Sequence, residues 1–235
     1  MRWSILVVLT FAFGATSARA DGLIYRLPED GTAVRFAMDF KVNHNGMEEM
    51  ATGELVQRSV GKVDVDGKPC RWIEFKFTID KGGQQFNMLS KVLIPESALK
   101  AGENPGAHMI RGWMKQMDRD PEELKDLNTP KAGPLGAFLA GPATDAKKLA
   151  KETVDSKLGK LECEGVTGSL MIDQGSEKVA IKLENRLHDK APFGVVKSRM
   201  EFQVERNGQA RENGVITISA LEVTKGTQSE LPEQK

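Results

Sequence analysis

The chain is poor in the residues that usually carry chemistry. It has two cysteines, three histidines and one tyrosine among 235 residues, and aromatic side chains make up 6% of it. His44, His108 and His188 stand far apart, with no His-x-x-x-His spacing to seat a metal. No Gly-x-Ser-x-Gly elbow is present, and neither cysteine lies in a motif that would activate it as a nucleophile. His188-Asp189 has the residues to polarise a hydroxyl but no partner motif that supplies one. Gly82-Gly83 lacks the Lys-Ser/Thr that completes a phosphate loop. Asp64-Val65-Asp66-Gly67 starts like a calcium loop, but its twelfth position falls on Phe75, where a bidentate acid is required. Glu48 and Glu49 are adjacent, so on a strand they point to opposite faces and make a poor acid/base pair. These absences argue against an enzyme, a metal site and a bound cofactor.

Charge of one sign is also missing. Lys plus Arg and Asp plus Glu number 33 each, and the densest basic group, Lys147, Lys148 and Lys151, is diluted by Asp145 and Glu152. A nucleic-acid partner would call for a basic stripe, and none exists. The one long apolar run, Ile5 to Phe13, is about half the roughly 20 residues that span a bilayer. It follows Met1-Arg2-Trp3-Ser4 and precedes Ala18-Arg19-Ala20, the layout of a secretory signal peptide over residues 1–20. The chain is therefore expected to be exported to a periplasmic or extracellular space, with no transmembrane segment after processing. No cysteine follows the run, which removes a lipid-attachment site of the bacterial lipoprotein type. Export to an oxidising compartment leaves two readings of Cys70 and Cys163 open: a disulfide, or two small buried residues in separate strands.

What the sequence has in quantity is alternation. Val34, Phe36, Met38, Phe40 and Val42 interleave with Arg35, Ala37, Asp39 and Lys41, the period of a half-buried strand. Ile73, Phe75, Phe77 and Ile79 repeat the pattern, as do Val179 to Leu187, Val196 to Val204 and Val215 to Val223. Asn45-Gly46, Asp66-Gly67, Gly82-Gly83 and Asn207-Gly208 supply two-residue hairpin turns, and Asn213-Gly214 offers a further tip. Ala191-Pro192-Phe193-Gly194 has proline and glycine where a type I turn wants them.

Between residues 95 and 151, five prolines interrupt the pattern and the spacing turns helical. Met109, Ile110, Trp113, Met114 and Met117 gather on one side of a helix, and Asp120-Pro121-Glu122-Glu123 reads as the start of a second. The fold expected is α+β: a curved antiparallel sheet, an unclosed half-barrel, with a helical insertion covering its concave face. Residues 21–224 form one β-rich domain and residues 225–235 a disordered polar tail.

The order of signal peptide, strands, insertion and strands resembles the lipoprotein-carrier superfamily of LolA and LolB and its secreted bacterial relatives. So does a local run, Leu161-x-Cys163-x-Gly165 followed by Glu184-x-Arg186 and Pro192-Phe193-Gly194-Val195-Val196-Lys197. That resemblance implies a lipid or lipoprotein acyl chain as partner, held in an apolar cavity rather than by a signature motif. Its lining here would come from Phe36, Met38, Phe40, Phe75, Phe77, Met109, Trp113, Met114 and Met117. The alternative is a structural or protein-interaction domain whose concavity is filled by its own side chains.

Overall fold

The computed structural model describes residues 22–44, 46–124, 139, 143–173 and 176–231. The expected signal peptide lies outside these residues. The described chain forms eleven strands in one antiparallel sheet: β1 (Thr32–His44), β2 (Met47–Val65), β3 (Lys68–Lys81), β4 (Gln84–Pro95), β5 (Arg111–Gln116), β6 (Glu122–Glu123), β7 (Thr144–Ser156), β8 (Gly159–Asp173), β9 (Glu177–Leu187), β10 (Val195–Arg206) and β11 (Gln209–Lys225).

In space the order is β6-β5-β4-β3-β2-β1-β11-β10-β9-β8-β7. The first and last strands therefore pair at the centre of the sheet, with Phe36 opposite Ala220 and Met38 opposite Ile218. Each half winds outward from that seam as a meander. β7 comes close to β10 and β11, with which it does not pair, so the sheet curls upon itself. Among the described residues β6 and β7 do not pair, and the sheet stays unclosed.

The turns follow local chemistry. Val65 pairs with Lys68 and leaves Asp66-Gly67 as the tip, with φ of 52° and 74°, the two positive angles of a type I′ hairpin. Arg206 pairs with Gln209 around Asn207-Gly208 in the same way, at 52° and 73°. His44 pairs with Met47, which makes Asn45-Gly46 a two-residue connection, although Asn45 itself lies outside the described residues. Asn213-Gly214 is not a tip; both residues sit within β11. Gly194 donates its N–H to the Ala191 carbonyl at 2.9 Å, closing the turn expected there.

The helical insertion is overturned. Among the described residues helix is confined to 3-10 turns at Glu96–Ala98 and Pro105–His108. The methionine-rich segment is β5, which pairs with β4 so that Ser90 meets Met114 and Lys91 meets Trp113. The expected second helix is β6, where Glu122 pairs with Met114. A spacing of four is also an even number, so Met109, Trp113 and Met117 fit one side of a strand as well as one side of a helix. The neighbouring positions are apolar because both faces of this part of the sheet are covered, so the alternation that marks a strand is erased. Gly112, mid-segment, weakens a helix further. The Pro134–Pro142 stretch lies outside the described residues except Leu139, which is buried in the core.

Cys70 and Cys163 are free and buried, on β3 and β8, six positions apart in the sheet. Cys163 packs with Val154, Leu161, Ala191 and Val196. Burial pushes both thiols above the ordinary cysteine value. A thiol reagent at neutral pH should leave the folded protein unmodified and titrate both groups after denaturation.

Candidate functional site

The main core occupies one face of the sheet, here the inner face. Along β1, Val34, Phe36 and Met38 are at most 1% exposed, whereas Phe40 and Val42, on the same face, are half-buried. β10 repeats this, from buried Met200 to half-buried Phe202 and Val204, and β11 from Ile218 to Ile216. β9 runs from Ile181 to Val179 and β8 from Val166 to Leu170 and Ile172. The inner face is thus closed at one end and open at the other. At the open end lie the β1–β2, β3–β4, β8–β9 and β10–β11 connections, where Met47, Phe86, Met117 and Met171 are exposed. Gly214 supports this mouth, since a Cβ there would stand 2.8 Å from the Phe202 ring; the missing side chain leaves that ring room against β11.

The closed end is made by the chain's own N-terminal segment. Asn185 Nδ2 on β9 donates to the Gly22 carbonyl at 3.2 Å, and Gln57 Nε2 on β2 donates to the Leu23 carbonyl at 3.5 Å. Consecutive carbonyls are therefore held by the two halves of the sheet, stitching them across the interior. Tyr25 N–H donates to the Phe193 carbonyl at 2.9 Å. Leu23, Ile24 and Phe193 fill the space between, at most 2% exposed.

The residues expected to line an apolar cavity separate into three groups. Phe36, Met38, Phe75 and Phe77 belong to the inner core, with Phe40, Met109 and Met114 packed against it half-buried. Trp113 lies on the opposite face with Leu89 and Leu231, and Met117 is exposed with φ of 52°. The open mouth is formed by Phe40 together with Leu170, Ile172, Val179, Phe202 and Ile216, of which sequence reasoning picked out only the first. The others were visible as the apolar phase of alternating strands; what alternation cannot tell is which end of a strand remains uncovered.

Two depressions of mixed character flank the sheet. One of about 350 Å³ adjoins the closed end and brings together Tyr25, Arg26, Lys151, Glu162, Glu164, His188 and Asp189. His188 Nδ1 stands 2.8 Å from Asp189 Oδ1, yet it also accepts the Lys190 N–H at 3.0 Å, and among the described residues no serine, threonine or cysteine lines the depression. Another, of about 620 Å³, runs along β8 to β1 at the open end, lined by Lys41, Asn43, Glu48 and Gln203 together with Leu170, Met171, Ile181, Phe202 and Val215. Among the described residues no group of three His, Cys, Asp or Glu side chains could hold a metal ion. No helix among them is long and apolar enough to cross a membrane.

The segment read as the start of a disordered tail is packed instead. Residues 226–231 cross the outer face of β2 to β5 as a strap. Its anchor is Glu74 on β3, fully buried, whose carboxylate accepts from Arg58 Nη1 at 2.6 Å, Ser229 Oγ at 2.7 Å, Glu230 N at 3.1 Å and Leu231 N at 3.3 Å. The Glu230 carboxylate bridges Arg58 and Lys76. Leu231, 4% exposed, packs against Leu89 and Trp113, beside Trp72, whose ring centroid lies 5.3 Å from that of Trp113. The visible signal in the sequence was tryptophan and leucine at positions 72, 89 and 113 on the nominally polar phase of their strands.

No protein-family model matches the chain, and no curated protein matches its sequence. Among solved structures, one described as an exported protein with a YmcC-like fold from Bacteroides fragilis aligns with a TM-score of 0.36 and 11% identity, over 86% of this chain and 99% of its own. One described as a lipoprotein from Parabacteroides distasonis aligns at 0.35 and 10%, over 87% and 100%. A DUF1329 family protein from Desulfovibrio piger aligns at 0.33 and 11%, over 84% and 86%. At such scores and identities these likenesses carry no argument about function.

Proposed function

We propose that the chain is an exported, non-enzymatic envelope protein that binds a lipid or lipoprotein acyl chain against the open end of its inner face. The observation that supports this reading is the burial gradient: a continuous apolar surface that is sealed where Leu23 and Ile24 fill it and half-exposed from Phe40 to Ile172. An extended hydrocarbon matches such a surface in chemistry, and Met47, opposite His44 on the inner-face phase, adds an adaptable side chain at its rim. The rival reading, an interior filled by its own side chains, describes the closed end, where Phe193 and the N-terminal segment already occupy the inner face.

Titration with an environment-sensitive fluorescent fatty acid separates the two. The processed protein should raise the probe's emission saturably, and Phe202→Asp, which puts a charge at the mouth, should weaken binding about tenfold or more with an unchanged circular dichroism spectrum. No enhancement, or enhancement that Phe202→Asp leaves intact, contradicts the proposal.

A further inference from the structure

We propose that the outer face of β2 to β5 is a peptide-docking groove, occupied in cis by residues 226–231, that accepts in trans a partner segment presenting a hydroxyl residue, an acid and a leucine in succession. The strap itself shows what the groove recognises. Glu74 takes two consecutive main-chain N–H groups, Glu230 and Leu231, a contact that any extended peptide can make, and the Ser229 hydroxyl adds a third donor. Specificity comes from the flanking groups. Arg58 and Lys76 select a carboxylate in the middle position, and Leu89, Trp72 and Trp113 form an apolar seat for the third.

The occupant is displaceable because it belongs to no strand. The sheet beneath it is already complete as a hydrogen-bonded ladder, so its release breaks no strand pairing. It leaves β11 at Gly226, with φ of 70°, and is pinned at Thr227, whose N–H and Oγ1 donate to the Gly31 carbonyl at 2.9 and 3.1 Å, so the displaceable part is residues 228–231. Tethering gives the cis segment an effective concentration on the order of millimolar, so the groove stays shut against weak or scarce competitors. A partner opens it only by binding more tightly, or where the strap has been weakened.

Full-length processed protein carrying Leu231→Asp tests this, with a fluorescein-labelled peptide of residues 226–235 in native sequence as probe. The variant should show red-shifted tryptophan emission, bind the probe about tenfold or more tightly than the unmodified protein does, and recover its emission on saturation. A probe with the Glu230→Lys change should bind about fivefold or more weakly, because it meets Arg58 and Lys76 with like charge. Equal binding by variant and unmodified protein, absence of binding once the emission shows the strap released, or emission unshifted by Leu231→Asp each overturns the proposal. A strap-exchanged dimer of the unmodified protein in light scattering overturns the partner reading too, since the occupant is then a second copy.

Discussion

Glu74→Ala should destabilise the protein by about 3–5 kcal/mol, the usual cost of removing one member of a buried charged pair. The carboxylate is fully buried and Arg58 is held against it with its side chain only 12% exposed. Its loss leaves that guanidinium with Glu230 alone and orphans the Glu230 and Leu231 N–H donors, whereas Ser229 Oγ keeps the Leu231 carbonyl at 2.8 Å. For a chain of this length the melting temperature should fall by about 6–20 °C. The double variant Glu74→Leu/Arg58→Leu should recover a large part of the loss, because it removes the stranded charge as well. Both remaining tryptophans of the processed chain, Trp72 and Trp113, lie at the strap, so emission reports its release directly.

The same contact has a defined pH dependence. Burial pushes the Glu230 carboxyl up, but hydrogen bonds from Lys76 and Arg58 outweigh it and hold the group below its ordinary value. A carboxylate depressed on docking stabilises the docked strap fully above its free value and loses that contribution as pH falls through the depressed one. Tryptophan emission should therefore shift red on acidification below the ordinary carboxylate range, and Glu230→Gln should blunt that shift.

Leu23→Ala and Ile24→Ala should each cost about 2–5 kcal/mol, as for other fully buried aliphatic side chains. The consequence beyond stability is geometric. Because Asn185 and Gln57 hold adjacent carbonyls of this segment, loosening it should raise amide exchange in β2 and β9 together, although the two strands lie on opposite sides of the central seam. Faster exchange confined to one of the two would show that the segment does not link the halves.

How much of this was legible in the sequence depended on whether one face or two were covered. β1 and β9 each have a solvated face, so alternation identified them, and the Asn45-Gly46 connection fixed the register of β1 against β2. β4 and β5 are covered on one side by the core and on the other by the strap; β4 is buried at every position from Met88 to Ile94, and the period of two disappears. The strap was missed for a related reason. Its six residues fold only against a groove assembled from four strands, β2 to β5, and nothing in their own composition announces that groove. Four of the nine expected cavity residues, Phe36, Met38, Phe75 and Phe77, lie in the core, and Trp113 supports the strap instead. The disulfide remained open because spacing does not reveal distance; the two cysteines prove to be buried in separate strands.

Native mass spectrometry with organic extraction, performed on processed protein purified from the exported fraction, tests the acyl-binding account most directly. It predicts a stoichiometric lipid adduct that is lost with Phe202→Asp and retained with Trp113→Ala, since Phe202 lines the mouth and Trp113 lies on the far face. Bare protein that also takes up no added lipid, or an adduct lost with Trp113→Ala and kept with Phe202→Asp, would contradict it.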